Sequence, residues 1–278
     1  MGINWYPGHM VRARREIEEN IKLVDVVVLL LDARAPFSCR NLELEALTAR
    51  KSLIMVLNKK DLADPSMTRK YLDLLKTEGW LAVATDSLHG QGNKPVIQAI
   101  SQAYKPLAQA MLDKGRRVRA ARIMVAGVPN TGKSSFLNNL VGKKIAITGA
   151  KPGVTRGKQW IRIREDMEFL DTPGLMWPKI KNPEQGLKLA LLDIVGSNAY
   201  NELDVALYLL ALLQEKAKPQ LQERFHIKET DMSPQEMLAY ISKQMGHFIK
   251  GGETDPDKTA RTLLQEFRKG RLAHISLD

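Results

Sequence analysis

The residues with the clearest chemical meaning are Gly127-Val-Pro-Asn-Thr-Gly-Lys133-Ser134, which match the phosphate-binding pattern G-x-x-x-x-G-K-[ST]. The glycines let backbone N–H groups turn toward a β-phosphate at the start of the following helix. The Lys133 ammonium would reach the β- and γ-phosphates, and the Ser134 hydroxyl would bind Mg²⁺. We therefore predict a nucleotide-phosphate site formed by Asn130, Thr131, Gly132, Lys133, Ser134 and Ser135.

A second segment, Asn58-Lys59-Lys60-Asp61, indicates which base the nucleotide carries. It resembles the N-K-x-D motif of GTPases, in which the Asp carboxylate accepts from guanine N1–H and from the exocyclic amine. Adenine offers no such pair of donors, so the contact would discriminate strongly between the bases. Taken alone, N-K-K-D could be a solvated lysine-rich turn, but beside a phosphate loop it predicts guanine. Asp86-Ser87 resembles the short loop that closes over guanine, where Ser-Ala is more usual.

Two further motifs predict a switch that responds to the γ-phosphate. Asp171-Thr-Pro-Gly174 resembles D-x-x-G, so Asp171 would hold Mg²⁺ through a water molecule and the Gly174 amide would contact the γ-phosphate. Thr155 would complete the Mg²⁺ shell only while the γ-phosphate is present, and hydrolysis would release it. An ordinary GTPase has N-K-x-D last, whereas here it comes first. The motif order therefore predicts a circularly permuted GTPase.

The elements that must position these motifs alternate along the first part of the chain. Continuous apolar runs of strand length favour a mostly parallel α/β sheet of six strands with helices between them. After Pro178 the pattern predicts helices only, with starts at Asn182-Pro183, Ser233-Pro234 and Asp255-Pro256. Val205–Leu213 is apolar on all sides, which is typical of a central buried helix. We predict a circularly permuted P-loop GTPase domain over residues 1–178 and a small all-helical C-terminal domain over 179–278. Six strands are predicted, at Val26–Leu31, Ser52–Leu57, Trp80–Ala84, Arg122–Ala126, Gln159–Ile163 and Glu168–Leu170.

Charge is distributed unevenly in this chain of net charge +11. Through Gly174 there are 28 basic and 17 acidic residues, and from Leu175 onward there are 14 of each. Lys114–Arg164 holds 13 Lys or Arg and no Asp or Glu. Some of these cations would serve the nucleotide or a solvated helix, but thirteen exceed what one triphosphate needs. Clustered cations of this kind favour an RNA-binding surface on the first domain.

The whole chain resembles a known family once these features are combined. The permuted motifs, Tyr6-Pro-Gly-His9-Met10, Asp32-Ala-Arg-Ala-Pro36 and the helical C-terminal part are similar to the YlqF-type family, ribosome biogenesis GTPase A. The resemblance implies a GTPase that acts late in assembly of the bacterial large ribosomal subunit and binds ribosomal RNA. Permuted relatives with zinc modules do not fit, because Cys39 is the only cysteine.

The resemblance also bears on catalysis. Leu175 stands where many GTPases place a water-orienting Gln, so another group must position the attacking water or the isolated protein is slow. His9 is the candidate, with a structural or RNA-contacting histidine as the alternative. Asn130 would help to bind K⁺, as it does in similar GTPases with Pro-Asn in the phosphate loop. His89 and the other histidines are expected to be structural or surface residues.

Three functional hypotheses remain open at this stage, and the third, an ATP-dependent enzyme, fails if Asp61→Asn abolishes selectivity for guanine. The first is an assembly GTPase that binds GTP or GDP with Mg²⁺, and with K⁺ under the Asn130 hypothesis, and is stimulated by the large ribosomal subunit. The second is an RNA-binding regulator that uses GTP mainly as a conformational sensor, with negligible turnover. The apolar stretches are far shorter than the roughly 18 residues that suggest a membrane span. No signal-peptide pattern is present, so we expect a cytoplasmic protein that is a monomer off the ribosome.

Overall fold

The computed structural model describes residues 7–141, 160–171, 180, 182–228 and 231–278, with the side chains of 7–13 and 171 excepted. The described residues form two compact units. The sheet unit consists of those between 7 and 171 together with Asp278, and the helical unit consists of those between 180 and 277. Asp278 belongs to the sheet unit because its carboxylate accepts from the backbone N–H groups of Phe37 and Ser38, at 2.8 and 3.0 Å.

Six strands among the described residues form one sheet in the order β3-β2-β1-β4-β6-β5. All neighbouring strands are parallel except β5 and β6, which are antiparallel. The strands are β1 (Val26–Asp32), β2 (Ser52–Asn58), β3 (Leu81–Ala84), β4 (Ala121–Ala126), β5 (Trp160–Arg164) and β6 (Met167–Asp171).

The central strand β1 is buried at every position, as its unbroken apolar sequence requires in a sheet covered on both faces. Val26 pairs with Ser52 of β2 on one side and with Ile123 of β4 on the other. One core cluster lies where strand residues meet α5 and α6, and includes Val28, Ile54, Ile100, Ile123 and Phe136. This packing fixes the ends of the central strands relative to one another.

Helices connect the strands of the sheet unit. They are α1 (Pro7–Ile21), α2 (Pro36–Cys39), α3 (Leu42–Thr48), α4 (Pro65–Thr77), α5 (Asn93–Leu112) and α6 (Lys133–Val141). The Asn41 and Asp64 side chains cap α3 and α4 by accepting from N–H groups of the first turn. A short 3-10 turn covers Lys60–Leu62.

The helical unit is built around one apolar helix. Its helices are α7 (Pro183–Leu191), α8 (Glu202–Lys216), α9 (Lys218–Phe225), α10 (Pro234–Gln244) and α11 (Pro256–Arg268), with a 3-10 turn at Ser197–Ala199. Helix α8 packs against the other four and buries six of its residues. The predicted helix starts are confirmed: Asn182 and Asp255 are N-caps, and Ser233 forms a capping box with Glu236.

The predicted α/β class with a mostly parallel six-stranded sheet is confirmed. The predicted strands agree with those observed to within a residue or two. Helix α1 begins at Pro7, where a proline in the first turn needs no hydrogen-bonded N–H. The predicted domain boundary at 178/179 lies outside the described residues and stays a prediction. Among the described helices, none has the length and apolar character needed to cross a membrane.

Candidate functional site

The candidate site lies at the carboxyl ends of parallel strands. Gly127 follows β4, Asn58 ends β2, and Asp32 ends β1 between them. Parallel strands place their carboxyl ends on one edge, so loops distant in sequence meet there. The phosphate loop, Gly127–Ser134, leads from this edge into the first turn of α6.

Two glycines of the phosphate loop are required by their backbone conformation and by close packing, against backbone at Gly127 and against a hydrogen-bonded side chain at Gly132. Gly127 has φ 151°, and a Cβ there would lie 2.4 Å from the Leu30 carbonyl oxygen. Gly132 has φ 94°, and its Cβ would lie 2.5 Å from Asn58 Nδ2. Both distances are shorter than any ordinary contact, and both φ values disfavour L side chains. Glycine therefore lets the loop pass directly against β1 and against the predicted base-reading segment.

The remaining phosphate-loop residues are held by contacts within the loop. Asn130 has the left-handed φ of 58°, and the buried Thr131 donates from Oγ1 to the Val128 carbonyl at 3.0 Å. Lys133 Nζ donates to the same carbonyl at 2.9 Å, which places the ammonium over the loop. Ser134 and Ser135 follow in the first turn of α6 and are half-buried. A helix start with inward N–H groups suits an anionic phosphate.

Asn58 joins the predicted guanine loop to the phosphate loop. Its Nδ2 donates to the Thr131 carbonyl at 2.8 Å. Its Oδ1 accepts from Ser87 N at 3.1 Å and from Ser87 Oγ at 2.7 Å. The side chain is buried, so each of these bonds replaces a contact with water that folding removed. The structure thus shows that Asn58, Ser87 and Thr131, which belong to three separate sequence motifs, are in direct contact.

Lys59 and Lys60, which follow β2, contact different loops, Lys59 through its side chain and Lys60 through its backbone. Lys59 has φ 58°, and its ammonium donates to the Asn130 carbonyl at 2.6 Å. The same Nζ lies 3.0 Å from Asp32 Oδ2. Lys60 donates from its backbone N–H to the Thr85 carbonyl at 3.2 Å, which ties this segment to the strand end before the guanine loop.

Asp61 and Asp86 lie close together on the predicted base-reading side. Burial raises the pKa of Asp61, and the negative charge of Asp86 raises it further. Burial would also raise the pKa of Asp86, but hydrogen bonds from His89 and from the Leu88 N–H hold that pKa below its ordinary value. His89 Nδ1 lies 2.6 Å from Asp86 Oδ2. One carboxylate oxygen each of Asp61 and Asp86 and one imidazole nitrogen of His89 lie within 4.8 Å of one another.

Sequence reasoning missed the positions of Asp32 and Arg34 in this site. His89, interpreted from the sequence as a structural or surface residue, is 60% exposed, and its ring contacts Asp86 in the loop that would close over guanine. The sequence identifies Asp32 and Arg34 only as part of a family resemblance. The buried Asp32 pairs with Arg34, and their place between two nucleotide-binding segments follows from β1 lying beside β2 and β4. The available signal was a charged residue at the end of an unbroken apolar run, Val26–Leu31.

Several predicted site residues fall outside the described part of the chain. These are Thr155, Gly174 and the side chains of His9 and Asp171, so their roles stay predictions. The backbone of Asp171 is described, and it pairs with Val125 at the end of β4, two residues before the phosphate loop. This register suits the predicted magnesium site, because it puts the carboxyl end of β6 next to the loop that carries Ser134.

The basic stretch separates into paired and unpaired cations. Arg119 forms two bonds to the Asp25 carboxylate, at 2.7 and 2.8 Å. Arg164 pairs with Asp166 at 3.0 Å. Lys114, Arg116 and Arg117 are exposed, and the described part of the chain offers them no ion-pair partner. Among the described residues of the stretch, these three place exposed positive charge directly after the end of α5.

Comparison with known proteins gives matches over both units. A family model described as "50S ribosome-binding GTPase" matches residues 122–243. Ribosome biogenesis GTPase A of Bacillus cereus is 39% identical over 278 residues, which is 100% of this chain and 94% of that protein. The protein of the same name from Thermotoga maritima is 30% identical over 276 residues, covering 99% and 94%. The solved structure of GNP-bound YlqF from T. maritima has a TM-score of 0.67 at 26% identity, covering 96% of this chain and 97% of that one.

Proposed function

Since the chain belongs to the ribosome biogenesis GTPase A family, we propose that it is a GTP-hydrolysing switch that acts late in assembly of the bacterial large ribosomal subunit and binds ribosomal RNA. The observation that supports the nucleotide part is the Asn58 side chain, which joins the guanine loop at Ser87 to the phosphate loop at Thr131. A base and its phosphates can then be bound by one connected set of side chains. Asp61 would select guanine, and Lys133 would bind the phosphates.

Magnesium would be held by Ser134 and, through water, by Asp171. When bound, the ion would neutralise charge on the β- and γ-phosphates during transfer to water. Ser134 at the start of α6 and the register of Asp171 beside Val125 are compatible with this role. Thr155 would complete the shell in the GTP form only. Residues after Gly174 continue directly into the helical unit, so a change at the γ-phosphate would be transmitted along the chain.

The experiment that tests the ribosomal part is GTP hydrolysis by the purified protein in KCl, with and without large ribosomal subunits. We expect slow turnover alone, because Leu175 cannot orient water, and strong stimulation by the subunits. An unchanged rate would contradict the proposed partner. Tight GTP binding without turnover, even with subunits, would favour a regulator that uses GTP as a conformational sensor.

Two further roles are tested in the same assay. If His9 positions the attacking water, His9→Ala lowers the stimulated rate while GDP affinity is unchanged. If Asn130 helps to bind K⁺, hydrolysis is faster in KCl than in NaCl. Equal rates in the two salts would exclude the potassium hypothesis.

The RNA-binding surface is proposed to lie on the sheet unit, after the end of α5. The exposed Arg116 and Arg117 carry charge that no described acidic residue neutralises. Charge reversal at both should weaken subunit binding and reduce its salt dependence, because fewer counterions are released. Arg119 is unsuitable for this test, since reversing it would place a second carboxylate beside that of Asp25. Reversal of the exposed Lys243 and Lys250 on the helical unit is the matched control, and an equal loss there would contradict the placement.

A further inference from the structure

Asp32 lies between two cations at the end of β1. Its carboxylate accepts from Arg34 Nε at 2.9 Å, from Arg34 Nη2 at 2.8 Å and from the Arg34 backbone N–H at 3.1 Å. Asp32 Oδ2 also lies 3.0 Å from Lys59 Nζ. The Asp32 side chain is 0% exposed, so the carboxylate depends on these partners rather than on water. Burial alone would raise the pKa of Asp32, but the two cations hold it well below its ordinary value.

Lys59 connects this carboxylate to the phosphate loop. An ammonium group has three N–H bonds. In Lys59 one is directed to Asp32 and one to the Asn130 carbonyl, 71 residues away in the sequence. Asp32 and Asn58 are register partners on β1 and β2, so the carboxylate sits beside the start of the base-reading segment. In the described structure these are the two acceptors of Lys59 Nζ, so its third N–H is available to a bound nucleotide.

We propose that Asp32 is a positioning residue for the guanine nucleotide, because it holds the Lys59 ammonium against the phosphate loop and thereby slows nucleotide release. Arg34 is the counter-ion that orients the buried Asp32 carboxylate at the carboxyl end of β1. The inference rests on the guanine site described under Proposed function. That site is tested independently by the base selectivity of Asp61→Asn, which does not involve Asp32. The competing explanation is that Asp32 serves only to neutralise the buried Arg34.

A double-mutant cycle separates these explanations. Asp32→Asn keeps the shape of the side chain and removes its charge, so we expect fluorescent GDP to dissociate roughly tenfold faster, as the loss of one charge-assisted contact would give. In a Lys59→Met background, Asp32→Asn should change the dissociation rate less than about twofold, because the side chain it positions is already gone. Equal effects in the two backgrounds would overturn the proposal.

A second variant deals with the buried charge that Asp32→Asn leaves behind. Asp32→Asn/Arg34→Gln removes both members of the pair. We expect thermal stability to recover relative to Asp32→Asn while GDP dissociation stays fast. Recovery of both stability and slow dissociation would mean that Asp32 only neutralises Arg34. Should Asp32→Asn fail to fold, the cycle is run with this pair, with and without Lys59→Met.

The matched control is Glu45→Gln. The Glu45 carboxylate accepts two bonds from Arg40, both at 2.9 Å, and is 9% exposed, so the change also removes a buried carboxylate from an arginine, although Arg40 keeps its contact with Glu78 at 2.6 Å. Neither residue contacts the phosphate loop or the guanine loop in the described structure. We expect lower thermal stability and unchanged GDP dissociation. Faster dissociation comparable to that of Asp32→Asn would show that the effect is general, and the proposal would fail.

Discussion

Hydrogen-bonding side chains have different partners in the sheet unit and in the helical unit. In the sheet unit, Asn58 bonds to residues 29 and 73 positions away, and these bonds join the loops of the candidate site. In the helical unit, Asn182, Ser233 and Asp255 bond to N–H groups two or three positions away and start their own helices. Among the distant contacts of the helical unit, Arg268 donates to the Ala190 and Leu191 carbonyls at the end of α7. The comparison teaches that side chains cap helices in both units, as Asn41 and Asp64 do in the sheet unit, whereas the described bonds that join the loops of the candidate site belong to the sheet unit.

The largest expected effect is on base selectivity in the sheet unit. Asp61→Asn replaces an acceptor by an amide, which can donate to the 2-oxygen of xanthine while accepting from its N1–H. We expect GDP affinity to fall at least about a thousandfold, since the guanine amine is left without an acceptor, and xanthosine diphosphate to bind better than GDP. Competition binding with the two nucleotides measures both changes.

The stability of the Asp61→Asn protein serves as its control. Asp61 is half-buried and lies in the short 3-10 turn Lys60–Leu62, so the melting temperature of the nucleotide-free protein should change little. If the variant binds GDP and xanthosine diphosphate with equal affinity, Asp61 does not read the base. The polar contacts of the sheet unit would then not form a guanine-selective site.

Shortening a buried side chain in the helical unit should lower stability and leave nucleotide affinity unchanged. Leu209→Ala removes a fully buried side chain from α8, and we expect a loss of about 3 kcal/mol in stability from the cavity. GDP affinity should stay within about twofold, because the contacts that bind nucleotide are in the sheet unit. Urea unfolding and GDP titration measure the two quantities. Leu30→Ala on β1 is the matched control, since Leu30 is equally buried and its carbonyl lies against Gly127, so both stability and affinity should fall.

The smallest expected effect is the pH dependence of the base contact. The pKa of Asp61 is raised by burial and by Asp86, so Asp61 protonates at a higher pH than an ordinary Asp. Protonation removes an acceptor for guanine, so GDP affinity falls as the pH drops through that pKa. The folding stability of the nucleotide-free protein has the opposite pH dependence. A folded-state pKa that is raised above its unfolded value contributes stability at low pH, and this contribution is lost as the pH rises through the folded-state pKa.

Carbon-13 carboxyl titration of the nucleotide-free protein measures this pKa, and Asp61→Asn identifies the signal. A value at or below the ordinary Asp value of about 3.9 would contradict the assigned cause of the shift.

The sequence predicted local features well and spatial neighbours poorly. Apolar runs such as Val26–Leu31 identify buried strands because burial on both faces demands them at every position. Pro183 and Pro234 identify helix starts because a first turn tolerates proline. The contact of Lys59 with Asp32 depends on strand order, and the pairing of Arg119 with Asp25 depends on where β4 lies beside β1. No periodicity along the chain encodes which strand will be adjacent.

The separation of 73 residues between Asn58 and Thr131 also sets an order of events during synthesis. At about 5–20 residues per second, the phosphate loop is made roughly 4 to 15 seconds after the base-reading segment. Strands β1, β2 and β3 come from the part made first and can pair while β4 is still being translated. During that interval the nascent chain has the base-reading segment but lacks the phosphate loop. Binding of both the base and the phosphates therefore waits until synthesis has passed Ser134, near the middle of the 278-residue chain, when the central strand has acquired its second neighbour.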